Sequence, residues 1–492
     1  MKQAARYAGI GVLILLAFLV LALLLPAARA PVAPQLSDHV IANVRVVDVR
    51  AGLVRPAANV VIRAGRIASI GGDAPAGINR IDARGGFLIP GLWDMHNHSW
   101  QVSPQMHFPL QVANGVVALR DMMDCPQARD SLIACVADKR RWSAQAEAGR
   151  LVAPRFIGIG SFYLESPDLT PERARSLVRE YRARGIDYIK VYNRLSPAAY
   201  AAASAEAARA GMPVVGHLPK KVPLSEALRR GQKGFDHAHL LIRACSSRYA
   251  DWVAGRLDRL TPLARDTLLL ESFDAAKCAG VLAEMRERGA WFVPTHVTRE
   301  EDARAGDSRF VNDPRLAYAD PLSRWAYRDD LGGTRGDYPG VAGERLLHAY
   351  FQQGLKLTGH AHRAGVRVLA GTDTIIGGFR MHDELEHLAA AGLTPADALR
   401  AATLDAAEYA GLSKVAGSVE PGHRADLVLL RANPLERIGN SREIEAVFLG
   451  GRHYDHAHLD RLLAFARGQA NTPANWIKML WGFARSSVSS EL

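Results

Sequence analysis

The amino-acid sequence predicts an α/β protein: a (β/α)8 TIM-type barrel, a small β-sandwich built from both chain ends, and an N-terminal membrane-spanning or signal segment. Three observations carry this. Apolar strand-like runs alternate with helical patterns through the middle, eight in all: 89–98, 115–120, 155–161, 187–192, 213–217, 234–237, 291–295 and 367–373. Alternating β and α implies parallel strands with crossover helices, and eight units close a barrel. Short β-rich runs bounded by turns flank this region, at 40–47, 58–63 and 66–70 before it and at 417–422, 425–430 and 446–450 after it. Lys2 and Arg6 precede an apolar run of 19 residues from Tyr7 to Leu25. The division that follows is 1–32 signal or anchor, 33–85 and 411–455 the two parts of the sandwich, 86–410 the barrel, and 456–492 a tail.

The first segment has a positive start, an apolar middle and an Ala28-x-Ala30 site, the pattern of an export signal. Its run approaches the length that spans a bilayer, and Pro31 would hinder cleavage. An uncleaved anchor is therefore expected, with a cleaved signal as the alternative; in both cases the body lies on the periplasmic side. Four cysteines suit that oxidising space: Cys125 and Cys135 bracket a short polar segment, and Cys245 and Cys278 a helical one. Disulfides or buried thiols both fit. Helical patterns at 171–184, 197–210, 224–230, 383–391 and 395–409 supply crossovers. Two insertions interrupt the pattern. Residues 243–289 look helical. Residues 299–344 are Arg/Asp-rich, with Phe310, Tyr318, Trp325, Tyr327 and Tyr338 scattered through them. This second insertion either lies over the active face and sets substrate choice, or is a surface elaboration or dimer contact. The tail is helical or irregular, and its packing partner stays open.

With 48% hydrophobic and 23% charged residues the chain is globular. Its net charge of +11 is scattered along helices, and no nucleic-acid motif accompanies it. Nucleic-acid binding is set aside, while attraction to an anionic membrane remains.

The chemistry concentrates at strand ends, where barrel enzymes place it. His96 and His98, one residue apart, point to one face of the first strand. Lys190 ends the fourth strand, His217 the fifth, His237 the sixth and Asp373 the eighth. Any one of the 17 histidines has a structural explanation; four at strand ends beside a lysine and an aspartate form a metal-site pattern.

These stretches resemble the amidohydrolase superfamily of metal-dependent hydrolases, with the imidazolonepropionase-like and prolidase-like branch nearest. The carriers are 90–98, 115–121, 187–192 with Lys190, 215–217, 235–237, 369–374 and the ending 417–427. The resemblance spans about residues 39–455 and leaves the first segment, the insertions and the tail unexplained. It implies two divalent metals, Zn2+ first. His96, His98 and Asp373 hold the more buried ion, His217 and His237 the more exposed one, and a CO2-derived carbamate on Lys190 bridges both. An ion-paired lysine with a single metal is the alternative. The implied activity is hydrolysis of an amide bond in a peptide or N-acyl amino acid by a metal-bridging hydroxide, with Asp373 as general base and then acid. A lactone, cyclic amide or organophosphate ester fits the same site, and a non-catalytic tethered binding protein is the reading from another class. The expected partners are a small-molecule substrate and the membrane, with a homo-oligomer left open.

Substrate contacts are expected from Tyr192 and His296, each as compatible with packing. His239 is a neighbour of the site, Lys220 and Lys221 lie in a loop after His217, and His382 has no assigned role. Arg120 and Asp121 are expected to pair with each other inside the barrel.

Overall fold

The computed structural model describes residues 28–73 and 75–486, together with Tyr7, Ala17 and residues 19–24. Most of the apolar run assigned to the signal or anchor lies outside the described residues. Among those described, no helix is long and apolar enough to cross a membrane.

The N-terminal part supplies β1 (His39–Asp48), β2 (Leu53–Arg63), β3 (Arg66–Ile70), β4 (Asn79–Asp82) and β5 (Phe87–Pro90). The middle supplies eight short parallel strands: β6 (Leu92–Asn97), β7 (Val116–Asp121), β8 (Arg155–Ile159), β9 (Ile189–Val191), β10 (Val214–Gly216), β11 (Gly234–Asp236), β12 (Trp291–Val293) and β13 (Arg367–Val368). The C-terminal part adds β14 (Leu427–Leu430), β15 (Ile444–Leu449) and β16 (Arg452–Asp455). The result is an α/β fold with mixed sheets.

Both chain ends enter one sheet, in the order β16-β15-β14-β5-β1-β2-β3, with β4 on β1. β5 is the seam, parallel to β1 and antiparallel to β14. Residues two apart point to one face of a strand, and Val44 and Val46, Val60 and Ile62, Leu427 and Leu429, Ala446 and Phe448 share one core. In place of the expected two-layer sandwich, one continuous sheet curls until its ends meet. Gly65 at the β2–β3 turn lies against Gly450 and Gly451 at the β15–β16 turn, where a Cβ on Gly65 would stand 2.8 Å from the Gly450 carbonyl oxygen. Residues 417–422, expected as a strand, are irregular; their end is tied to β3 by Gly422 N–H donating to Ile67 O at 2.8 Å.

The middle strands form three parallel groups, β6-β7-β8, β9-β10 and β11-β12-β13. Backbone hydrogen bonds join them: Asp187 N to Ile159 O at 2.9 Å, Lys233 N to Val214 O at 2.9 Å, and Met95 N to Ala370 O at 3.0 Å. The last of these returns the final strand region to the first. The crossover helices start on a repeated device. Thr170, Ser196, Thr261 and Thr394 each cap a helix, with proline following at its first position. The hydroxyl accepts an otherwise orphaned N–H, and proline has none to satisfy.

Cys125 is bonded to Cys135, and Cys245 to Cys278. Much of the 299–344 insertion is helical, including Pro321–Asp337, which Asp320 caps through the N–H groups of Leu322 and Ser323. The helix Gly340–Arg363 then leads into β13. The tail is a pair of helices, His456–Ala470 and Pro473–Arg485, packed through Ala470 and Met479 on Met106.

One pairing differs from expectation. Arg120 and Asp121 do not bond to each other, because neighbours on a strand face opposite ways. Arg120 points inward to Asp236 at 2.9 Å, and Asp121 outward to Lys139 at 2.7 Å; all four side chains are fully buried.

Candidate active site

Six of the residues singled out in the sequence come together where the parallel strands end. Nε2 of His98 lies 3.1 Å from Oδ1 of Asp373, and Nε2 of His96 lies 3.6 Å from the same oxygen. The ligand atoms of these three residues all fall within 4.8 Å of one another. Nε2 of His237 is 3.0 Å from Nε2 of His217 and 3.9 Å from Oδ2 of Asp373. Nζ of Lys190 is 3.5 Å from Nε2 of His96. His96 is 1% exposed, whereas His98 and Asp373 keep 24% and 23%, so the open rim of the cluster is the His98–Asp373 edge.

The chain aims these groups by several means. Asp94, buried two residues before His96, accepts from His96 N–H at 3.2 Å and from both the N–H and the hydroxyl of Thr372, at 2.9 and 2.6 Å. It thereby locks the first strand to the segment carrying Asp373. His217 Nδ1 pairs with Asn193 Oδ1 at 2.9 Å, and His237 Nδ1 with Thr295 Oγ1 at 2.8 Å. His96 Nδ1 lies 3.7 Å from Oδ2 of Asp236, whose other oxygen is held by Arg120. An imidazole fixed at Nδ1 presents Nε2 as a ligand, and such partners are a recurring feature of metal sites. His237, Thr295 and Asp373 adopt φ of 73°, 46° and 50°. Left-handed backbone at non-glycine residues is costly and clusters at functional sites.

The electrostatics favour ligation. Burial pushes the pKa of His96 and His217 well below the ordinary histidine value and that of His237 to about 4, so these rings are neutral ligands at neutral pH. Burial also lowers the pKa of Lys190, which forms no ion pair among the described residues. Burial alone would raise Asp373, but the hydrogen bond and charge of His98, with His237 and Lys190, hold it at about 2. A carboxylate and four imidazole nitrogens converge here, a donor set that fits a divalent cation.

The Tyr192 ring packs tilted by 40° against His217 with centroids 3.9 Å apart, and burial raises its phenol to about 12. His239 lies parallel to His237 at 5.6 Å. The other residues singled out do not join the cluster. His296 pairs with Thr358 at 3.0 Å beneath helix Gly340–Arg363. His382 staples Ser441 to the Asn114 carbonyl, and Lys220 pairs with Asp258. Sequence reasoning missed Asp94, Asn193, Asp236, Thr295 and Thr372. A search for polar residues flanking each strand end would have found them as a class, though not their partners.

Two cavities adjoin the cluster. One, of about 460 Å³, is walled by Leu218, Leu240, Tyr249 and Trp252 and shares Asn193 and His239 with the site. Arg243 lines it too, its guanidinium 4.7 Å from the Trp252 ring and its buried Nε without a partner. The other, of about 180 Å³, opens onto His98 and Asp373 between Trp100, His107 and Ser323.

Histidines, a lysine and an aspartate gathered at parallel strand ends form a candidate metal centre. The amidohydrolase family model matches residues 144–453, and the chain belongs to this family. Adenine deaminase 3 of Rhizobium meliloti (strain 1021) is 24% identical over 437 residues, 85% of this chain; the match takes in 57% of that protein's length. Among solved structures, a bottromycin amidohydrolase superposes with TM-score 0.67 at 24% identity, covering 89% of this chain and 91% of its own. A Xaa-Pro dipeptidase with bound methionine gives TM-score 0.59 at 17% identity, covering 85% and 100%. At these identities the two likenesses are of fold.

Proposed function

We propose that this protein is a metal-dependent hydrolase of amide bonds in peptides or N-acyl amino acids, built on a closed (β/α)8 barrel. The observation that carries the reading is the convergence of His96, His98, His217, His237 and Asp373 around Lys190, with Nδ1 of His217 and His237 fixed from behind. His96, His98 and Asp373 would hold one ion and His217 and His237 a second. Zinc there would supply an acidified water near neutral pH and Lewis-acid polarisation of the scissile carbonyl. As an ammonium, Lys190 could bind neither ion. Its buried amine could add to CO2 with loss of a proton, and the resulting carbamate would offer oxygen donors to the site. Asp373, ionised at neutral pH, accepts the proton of the attacking water at a carboxylate oxygen and delivers it to the leaving nitrogen. Tyr192 keeps its proton and is placed to donate to the carbonyl oxygen. The larger cavity suits the amine half of such a substrate: apolar groups against Leu218, Leu240 and Trp252, a carboxylate on Arg243. The body would work outside the cytoplasm, held or exported by the first thirty residues.

The test is amine release from a library of dipeptides and N-acyl amino acids by the full chain loaded with zinc and bicarbonate. Hits sharing a free carboxylate on the leaving amine support the reading. A blank with two metals bound per chain would sink it and turn the search to lactones and cyclic amides.

A further inference from the structure

The tail helix Pro473–Arg485 has two unlike faces. Asn475, Met479, Gly482 and the following Ser486 are buried against the body, with Gly482 on Ser131 and Met479 beside Met106 and Leu322. The outward face is also apolar. Ile477, Leu480, Trp481 and Ala484 fall at helical spacing on it, with Leu480 54% and Trp481 51% exposed. Exposed leucine and tryptophan side by side on a short helix mark a contact surface. Arg485 stands 5.7 Å from the Trp481 ring, and Lys478 is on the same helix.

What this face meets is indicated by where the first segment arrives. The carbonyl of Ala28 accepts from Gln105 Nε2 at 3.2 Å, and Gln105 precedes Met106, the residue on which the tail packs. Ala28, three residues after the end of the 19-residue apolar run in the sequence, therefore lies close to the surface on which this helix packs. Arg29, Arg141 and Arg150 line the same shallow groove as Gln105. The nearby acids are engaged locally: Asp138 with Arg141, Gln101 and Cys135 N–H, and Asp130 with Ser486 and the N–H groups of Leu132 and Ile133. Arginine, tryptophan and leucine gathered near Ala28, just after a bilayer-length run in the sequence, match an anionic lipid surface.

We propose that Pro473–Arg485 is a second membrane contact, lying in the headgroup layer with Leu480 and Trp481 directed into the lipid. His107 and Ser323, which follow Met106 and Leu322, wall the cavity that opens onto His98 and Asp373. Docking would bring that opening close to the bilayer, where amphiphilic amides concentrate. The inference takes its orientation from the anchor reading above and is separable from it.

The experiment reconstitutes the full chain with phosphatidylcholine–phosphatidylglycerol vesicles carrying brominated acyl chains, scoring flotation and tryptophan emission together. The expected result is flotation, with bromolipid quenching most of which disappears in Trp481→Phe. The same variant should lose a component shielded from aqueous acrylamide. A chain that floats but is quenched equally in wild type and Trp481→Phe overturns the second contact and leaves the anchor standing. Shielding of Trp481 that instead follows protein concentration without lipid points to a second copy of this chain and also overturns it. Failure to float removes both readings.

Discussion

The two halves of the ligand cluster are held in different ways. His96, His98 and Asp373 are positioned by main chain: His96 lies on β6, His98 directly follows it, and Asp373 is tied to it by its N–H donating to His96 O at 2.8 Å, with Asp94 bonding across the seam. His217 and His237 come from separate strands, and each ring is steered by one neutral side chain, Asn193 or Thr295. A half built on backbone resists single substitutions, whereas a half built on two hydrogen bonds yields to either. On the proposed two-ion reading, the first half would hold its ion more firmly than the second.

The comparison can be broken most sharply at Asp373, the residue shared by binding and proton transfer. Asp373→Asn is expected to lower kcat by ~1,000-fold, within the range for loss of acid–base catalysis. Metal content by mass spectrometry should hold, because the histidines remain; unchanged turnover would remove the assigned base. The next effect concerns the support beneath the second half. Glu384 accepts from Val297 N–H at 2.9 Å under the helix that follows Thr295, and burial raises its pKa from 4.5 to about 7. Its folded form holds a proton that the unfolded chain releases above pH ~4.5. Glu384's own contribution to stability therefore falls as pH rises from about 4.5 through 7, by up to ~3 kcal/mol, against the opposite slope contributed by the buried neutral histidines His96, His217 and His237. Urea unfolding at pH 5 and pH 8 measures this as the difference between wild type and Glu384→Gln, which removes this one contribution from the slope. A slope unchanged in that variant would place the proton elsewhere.

Thr295→Val and Asn193→Leu sharpen the contrast itself. Each should weaken the looser metal equivalent by ~10- to 100-fold in chelator competition and leave the tighter one in place. Equal loss of both equivalents would show that the halves are not independently held. The smallest change is Tyr192→Phe. It keeps the ring against His217 and removes one donor, so kcat/KM should drop about tenfold with metal content unaltered. No drop would leave Tyr192 as packing alone.

Legibility in the sequence followed locality. The pair His96 and His98 is visible because strand periodicity puts i and i+2 on one face. His217, His237 and Asp373 are visible because each ends an apolar run. The curled sheet shows in alternations such as Val60 and Ile62, while its closure through Gly65 and Gly451 depends on two turns remote in sequence. Partners were illegible for the same reason. Nothing near Asn193 says that it meets His217, and Arg120 bonds to Asp236 rather than to its neighbour because only the assembled strands decide which inward charge faces which. The helices of 299–344 were obscured by their Arg/Asp content, although the Asp320-Pro321 start is a readable cap.

The bond from Met95 to Ala370 joins the first parallel strand to the last. The three residues proposed to hold one ion thus come from opposite ends of the parallel-strand region and do not exist as a site until nearly all of it is made and folded. Contacts of such long sequence separation form late and slowly. A metal captured by His96, His98 and Asp373 is accordingly a certificate of completed topology: a chain threaded through a membrane before folding would cross it empty and take up its ions on the far side.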